Sequence, residues 1–134
     1  MRMQFEAAID TYNRYVNEFA VPAVAATQKC LATSLGSVSD PSCREWIAWT
    51  QQKDSYMADA IAALAKPIGE EHADRYRVAL LLTVQGYRQA FSDAAAAIAA
   101  QDEGRWYLAM AAFAATQEQG RRADQIRFEL LSGR

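Results

Sequence analysis

The sequence predicts an all-α fold, an up-down-up-down four-helix bundle, built as one domain over residues 1–134. Three features carry that prediction. Apolar residues recur at helical spacing through four long segments, alanine runs such as Ala94–Ala97 fill much of their length, and short breaks rich in Gly, Pro, Ser or acidic residues separate them. Short turns between long helices make antiparallel neighbours, so a bundle is the economical way to bury the four stripes. A chain of 134 residues holds one core of this kind without a metal.

The first segment, from about Gln4 to Thr33, places Phe5, Ile9, Tyr12, Val16, Phe19, Ala23, Ala26 and Cys30 at alternating spacings of four and three, which is one face of a helix. Pro22 lies inside it. Proline removes a backbone donor and crowds the carbonyl one turn back, so the helix is expected to kink or break near Glu18. The stretch Ser34–Pro41 is the first turn. The second helix then opens on Asp40 as N-cap with Pro41 at the first helical position, and runs inward through Cys43, Trp46, Trp49, Thr50, Lys53, Met57, Ala60, Ile61 and Leu64.

Lys66-Pro-Ile-Gly69 ends that helix. The third begins with Glu70, Glu71 and Asp74, acids at the positive end of the helix dipole, and buries Tyr76, Leu80, Thr83, Val84, Tyr87, Phe91, Ala94 and Ile98. Gln101–Gly104 is the last turn. A fourth helix from about Arg105 to Leu131 turns Trp106, Met110, Phe113, Gln117, Ala123, Ile126 and Leu130 inward, with Gly120 permitting a bend where the stripe weakens.

Cys30 and Cys43 continue the stripes of the first two helices on either side of the first turn, and so are expected to meet as a disulfide. Closing a loop of about 14 residues is worth roughly 3 kcal/mol in the chain-entropy model. Such a bond persists in oxidising compartments, which points to a periplasmic or extracellular protein whose export signal is absent from this sequence; buried free thiols in a cytoplasmic protein are the alternative.

Several function classes find no support. Net charge is −2 and the arginines are interspersed with acids, against a nucleic-acid partner. The longest strongly apolar run, Val78–Val84, is too short to cross a membrane. His72 is the sole histidine, so a carboxylate-bridged di-metal site lacks its Glu-x-x-His pairs, and neither a phosphate loop nor a nucleophile elbow is present. No catalytic residue, metal ligand or cofactor site is expected.

Two surfaces and one interior remain as candidates. Val78 and Leu82 point away from the core stripe of the third helix and Leu81 points to its flank, as a surface for another protein or a second copy of the chain would. Trp46, Trp49, Trp106 and Tyr107 are expected at the disulfide end, as a ligand or partner tip or as a plug of core rings. Thr50, Lys53, Thr83 and Gln117 are polar residues on core stripes that would line a pocket between helices, or simply mark a wetter edge. The first functional reading is a non-enzymatic protein-binding or inhibitory domain of an exported protein, in the manner of immunity proteins by analogy of scaffold alone. The alternative is a sensing or carrier bundle with a small apolar ligand between its helices.

Overall fold

A computed structural model of the chain describes residues 2–32 and 35–132, with side chains from Glu6 onward. All regular structure among these residues is helical, but the helices number more than four. They are α1 (Arg2–Tyr15), a π-helical turn (Val16–Ala20), α2 (Val21–Cys30), α3 (Pro41–Gln52), α4 (Asp54–Leu64), α5 (Glu71–Ala100) and α6 (Glu103–Leu131). The expected first and second helices are each divided. Phe5, expected on the first stripe, has its side chain outside the described residues, and Thr33, expected to end the first helix, and Ser34, expected to open the first turn, lie outside them altogether.

The first division follows from Pro22. With no amide hydrogen to offer Glu18 and a ring that crowds its carbonyl, proline forces the preceding turn to widen, and Val21 N–H bonds Val16 O five residues back. The second division, at Lys53, has no Pro or Gly to announce it. Lys53 N–H still reaches Trp49 O at 3.1 Å, but its backbone leaves the helical region, and α4 restarts on Asp54. Asp54 takes both Nε and Nη2 of Arg88 from α5, at 2.9 and 2.8 Å.

Helix ends are satisfied by side chains close in sequence. Asp40 accepts from Ser42 N at 2.8 Å, Glu70 accepts from His72 N and Ala73 N, and Asp102 accepts from Arg105 N. Between α4 and α5, Asp74 accepts from Ile68 N and Gly69 N and also holds Arg77, whose Nη1 donates to Leu64 O at 2.6 Å. Arg77 is thereby buried with its charge paired.

Packing runs in chain order: α1 lies on α4, α2 on α3, α3 and α4 on α5, and α5 along the whole of α6. At the centre, rings converge from every arm. Trp46 meets Phe91 and Phe113 edge-on at 5.6 and 5.5 Å, and Phe19 lies 5.9 Å from Phe91. In α6 the buried polar residue is Thr116, whereas Gln117, expected inward, is exposed, and the helix passes Gly120 without interruption.

Candidate binding site

Consecutive packing leaves one side open. The arm formed by α1, the π turn and α2 rests on α3 and α4, α6 rests on α5, and nothing of comparable extent joins that arm to α6. A seam therefore runs between them, floored by side chains of α5. Its half nearer Cys30 encloses about 280 Å³, with Tyr15, Phe19, Tyr87, Phe91 and Phe113 as walls and the exposed Val24, Gln28 and Gln117 at the rim. The other half encloses about 420 Å³ between Ile9, Tyr12, Val16, Tyr76 and Leu130, with Asp124 and Arg127 at its edge.

The π turn sits on this seam, since Val16, Phe19 and Ala20 all line it. Tyr15, just ahead of the widened turn, and Phe19, within it, stack 5.5 Å apart at an interplanar angle of 21°. Four phenols meet where the two halves join. Burial pushes the Tyr12 hydroxyl up to about 12, with Tyr76 adding to the shift, and burial raises Tyr15 further, with Tyr12 and Tyr87 contributing. Burial also raises Tyr76 and Tyr87. All four are neutral hydroxyls at neutral pH, because removing their protons would place negative charges together in a poorly solvated space.

The disulfide end has a different character. Cys30 and Cys43 are joined, Sγ to Sγ at 2.07 Å, and neither is accessible. Gly36, at φ +72°, lies over the bond so tightly that a Cβ there would stand 2.6 Å from Cys43 Sγ. Trp106 Nε1 donates to Leu35 O at 2.9 Å, Ser37 Oγ donates to Glu103, and Val38 is buried, so the connecting loop is fastened to the first turns of α6. Trp46 and Trp106 have no exposed surface, and Trp49 packs on Phe19. Of the four aromatics expected at the tip, Tyr107 alone is widely exposed, at 48%.

Val78 and Leu82 are 39% and 49% exposed, and Leu81 is half-buried. Val78 and Leu82 share a shallow outer groove with Ile126 of α6, edged by Arg122 and by the Arg75–Glu129 pair at 3.3 Å. The polar residues on core stripes line no common pocket. Thr50 and Thr83 are buried, with hydroxyls donating to Ile47 O and Ala79 O of their own helices; Lys53 is half-exposed at the break; Gln117 alone reaches the seam. His72 is exposed beside its cap, and among the described residues no group of three or more His, Cys, Asp or Glu stands close enough together to hold a metal ion.

Tyr15 is the seam residue that periodicity overlooks. It falls off the stripe running through Tyr12, Val16 and Phe19, yet its spacing of three from Tyr12 and four from Phe19 puts all three rings on one flank of the helix. Compared with known proteins, the chain matches no family model, no curated protein and no solved structure.

Proposed function

We propose that this chain is a non-enzymatic binding domain of an exported protein, holding an apolar ligand in the seam between its first arm and α6. The observation that carries the reading is the seam itself: rings from three arms line an opening that the packing order leaves unfilled. Ligand sites are concave, mostly apolar and set between helices in bundles, as this one is. The buried Cys30–Cys43 bond favours an oxidising compartment. In this reading α1 to α2 and α3 to α4 are two broken arms of an antiparallel four-arm bundle whose last side serves as the binding cleft.

The test is titration with 1-aminoanthracene, a small neutral fluorophore that brightens in apolar surroundings. Saturable one-to-one binding is expected, lost in Gln117→Trp, which fills the rim from an exposed position, and kept in Leu82→Asp, which lies on the outer groove. Absence of saturable binding to the folded protein would discard the reading.

A second reading, a protein contact through Val78, Leu82 and Ile126, has its own support in two exposed apolar side chains on one outer groove with both signs of charge at its rim. Sedimentation of the wild type against Leu82→Asp tests it for a second copy of the chain. A dimer that dissociates in the variant, with unchanged circular dichroism, favours it.

A further inference from the structure

Among the described residues, the buried threonine hydroxyls bond their own helices, and the Tyr15 hydroxyl does not. Thr50, Thr83 and Thr116 donate to carbonyls of their own helices at 2.7, 2.8 and 2.9 Å. Tyr15 is 4% exposed and its hydroxyl bonds none of the described residues, yet the oxygen is not wholly enclosed: among the described residues the enclosed side-chain atoms without a partner are Trp46 Nε1 and Glu103 Oε2. A hydroxyl that keeps some access takes its partner from the space it borders. That space is the half of the seam nearer Cys30, which Tyr15 lines.

The same lining restricts what can enter. It contains no Asp, Glu, Lys, Arg or His. A carboxylate or an ammonium placed there would lose its hydration with no opposite charge to replace it, whereas a neutral molecule would not. Phe19, Tyr87, Phe91 and Phe113 present ring surfaces, which suit a flat partner, and about 280 Å³ lies at the small end of ligand pockets. Because burial keeps the Tyr15 proton in place, the hydroxyl is a donor and calls for an acceptor oxygen.

We infer that the half of the seam nearer Cys30 is a site for a small neutral ring compound bearing a carbonyl oxygen, with that oxygen accepting a hydrogen bond from the Tyr15 hydroxyl. The inference rests on the seam being the binding cleft and adds the chemistry of the occupant. The ligand's carbonyl would stand in for solvent at that hydroxyl.

The experiment is displacement of 1-aminoanthracene from the full chain by 2-acetylnaphthalene, by 2-ethylnaphthalene, which has nearly the same shape without the oxygen, and by 2-naphthoate, which carries a charge. The ketone is expected to displace at about tenfold lower concentration than the hydrocarbon, and the anion to be the weakest of the three. Tyr15→Phe keeps the ring that stacks on Phe19 and removes only the hydroxyl, so it should abolish the gap between ketone and hydrocarbon. Equal displacement by ketone and hydrocarbon in the wild type, a gap that survives in Tyr15→Phe, or tightest binding by the anion would each overturn the inference while leaving the seam as the binding cleft. Failure of all three to displace a fluorophore that does bind would likewise overturn it. Failure of the fluorophore itself to bind would remove the cleft as well.

Discussion

Gly86 of α5 faces Thr116 of α6 so closely that a Cβ on the glycine would stand 2.6 Å from the threonine Oγ1. The hydroxyl is not free to swing aside, because it donates to Ala112 O at 2.9 Å. Gly120 meets Thr83 across the same helix pair with more room, its added Cβ falling 3.5 Å from Thr83 Cγ2. Two mid-helix glycines thus carry opposite expectations.

Alanine at Gly86 forces the two helices apart and should destabilise the protein by about 1 kcal/mol or more, overpacking outweighing the gain in helix propensity. Combining it with Thr116→Ala should restore stability. Gly120→Ala meets only ordinary contact and should stabilise by up to about 1 kcal/mol. Urea unfolding of the four proteins decides, and a stabilised Gly86→Ala single variant would contradict the contact.

Asp74 sets an acid limit on the α4–α5 turn. Its carboxyl is drawn down from 3.8 to about 2, by the amide of Ile68 first, then the Arg77 guanidinium and the amide of Gly69. A depressed carboxyl stabilises the fold fully above its unfolded value, and the contribution disappears as pH falls from near 4 through about 2. Thermal unfolding across that window should lose its steepness in Asp74→Asn, and an unchanged acid slope would show that other carboxylates govern it.

The disulfide should resist reductant while the protein is folded, because both sulfurs are inaccessible and Gly36 lies over them. Mass spectrometry after reductant and iodoacetamide should find no alkylated cysteine in native buffer and two in urea. Replacing both Cys30 and Cys43 by alanine should cost about 3 kcal/mol in stability, the entropy of a loop this size.

Gln101 closes α5 in the left-handed region, φ +52°, where Gln101 N–H bonds Ile98 O and Asp102 N–H bonds Ala97 O. This hydrogen-bond pattern ordinarily falls to glycine, since a side chain here strains the backbone by about 1 kcal/mol. Gln101→Gly should raise stability by a similar amount in the same urea assay, and a loss would show that the glutamine side chain holds the turn.

Local chemistry made much of this fold legible. Asp40 before Pro41 marked the start of α3, Pro22 located the distortion one turn ahead of itself, and Cys43, Trp46, Met57 and Leu64 stood at buried positions because three- and four-residue spacings follow a helix face. What escaped depends on partners distant in sequence or on small phase errors. Lys53 interrupts a helix without a breaker residue. Arg77 is buried because Leu64 O and Asp74 happen to lie where its guanidinium can reach, and no hydropathy pattern encodes that. Stepping four rather than three residues from Phe113 chose Gln117 over Thr116. The seam was the least legible feature, because it arises from two arms that do not pack together.

The first arm is pinned at one end only. Cys30 ties the end of α2 covalently to α3, while α1 is held against α4 without a covalent bond, by packing and by Arg14, whose guanidinium lies 5.7 Å from the centre of the Tyr56 ring. A guest that wedges the arm away from α6 therefore turns it about that pin, and displacement grows with distance from the bond, as it does along a door. The aperture beside Tyr15 and Phe91 is near the hinge side and yields little; the one beside Ile9 and Leu130 is at the latch side and yields most. Discrimination by size would be strict at the first and lenient at the second, so a long guest would be measured at its head and tolerated at its tail.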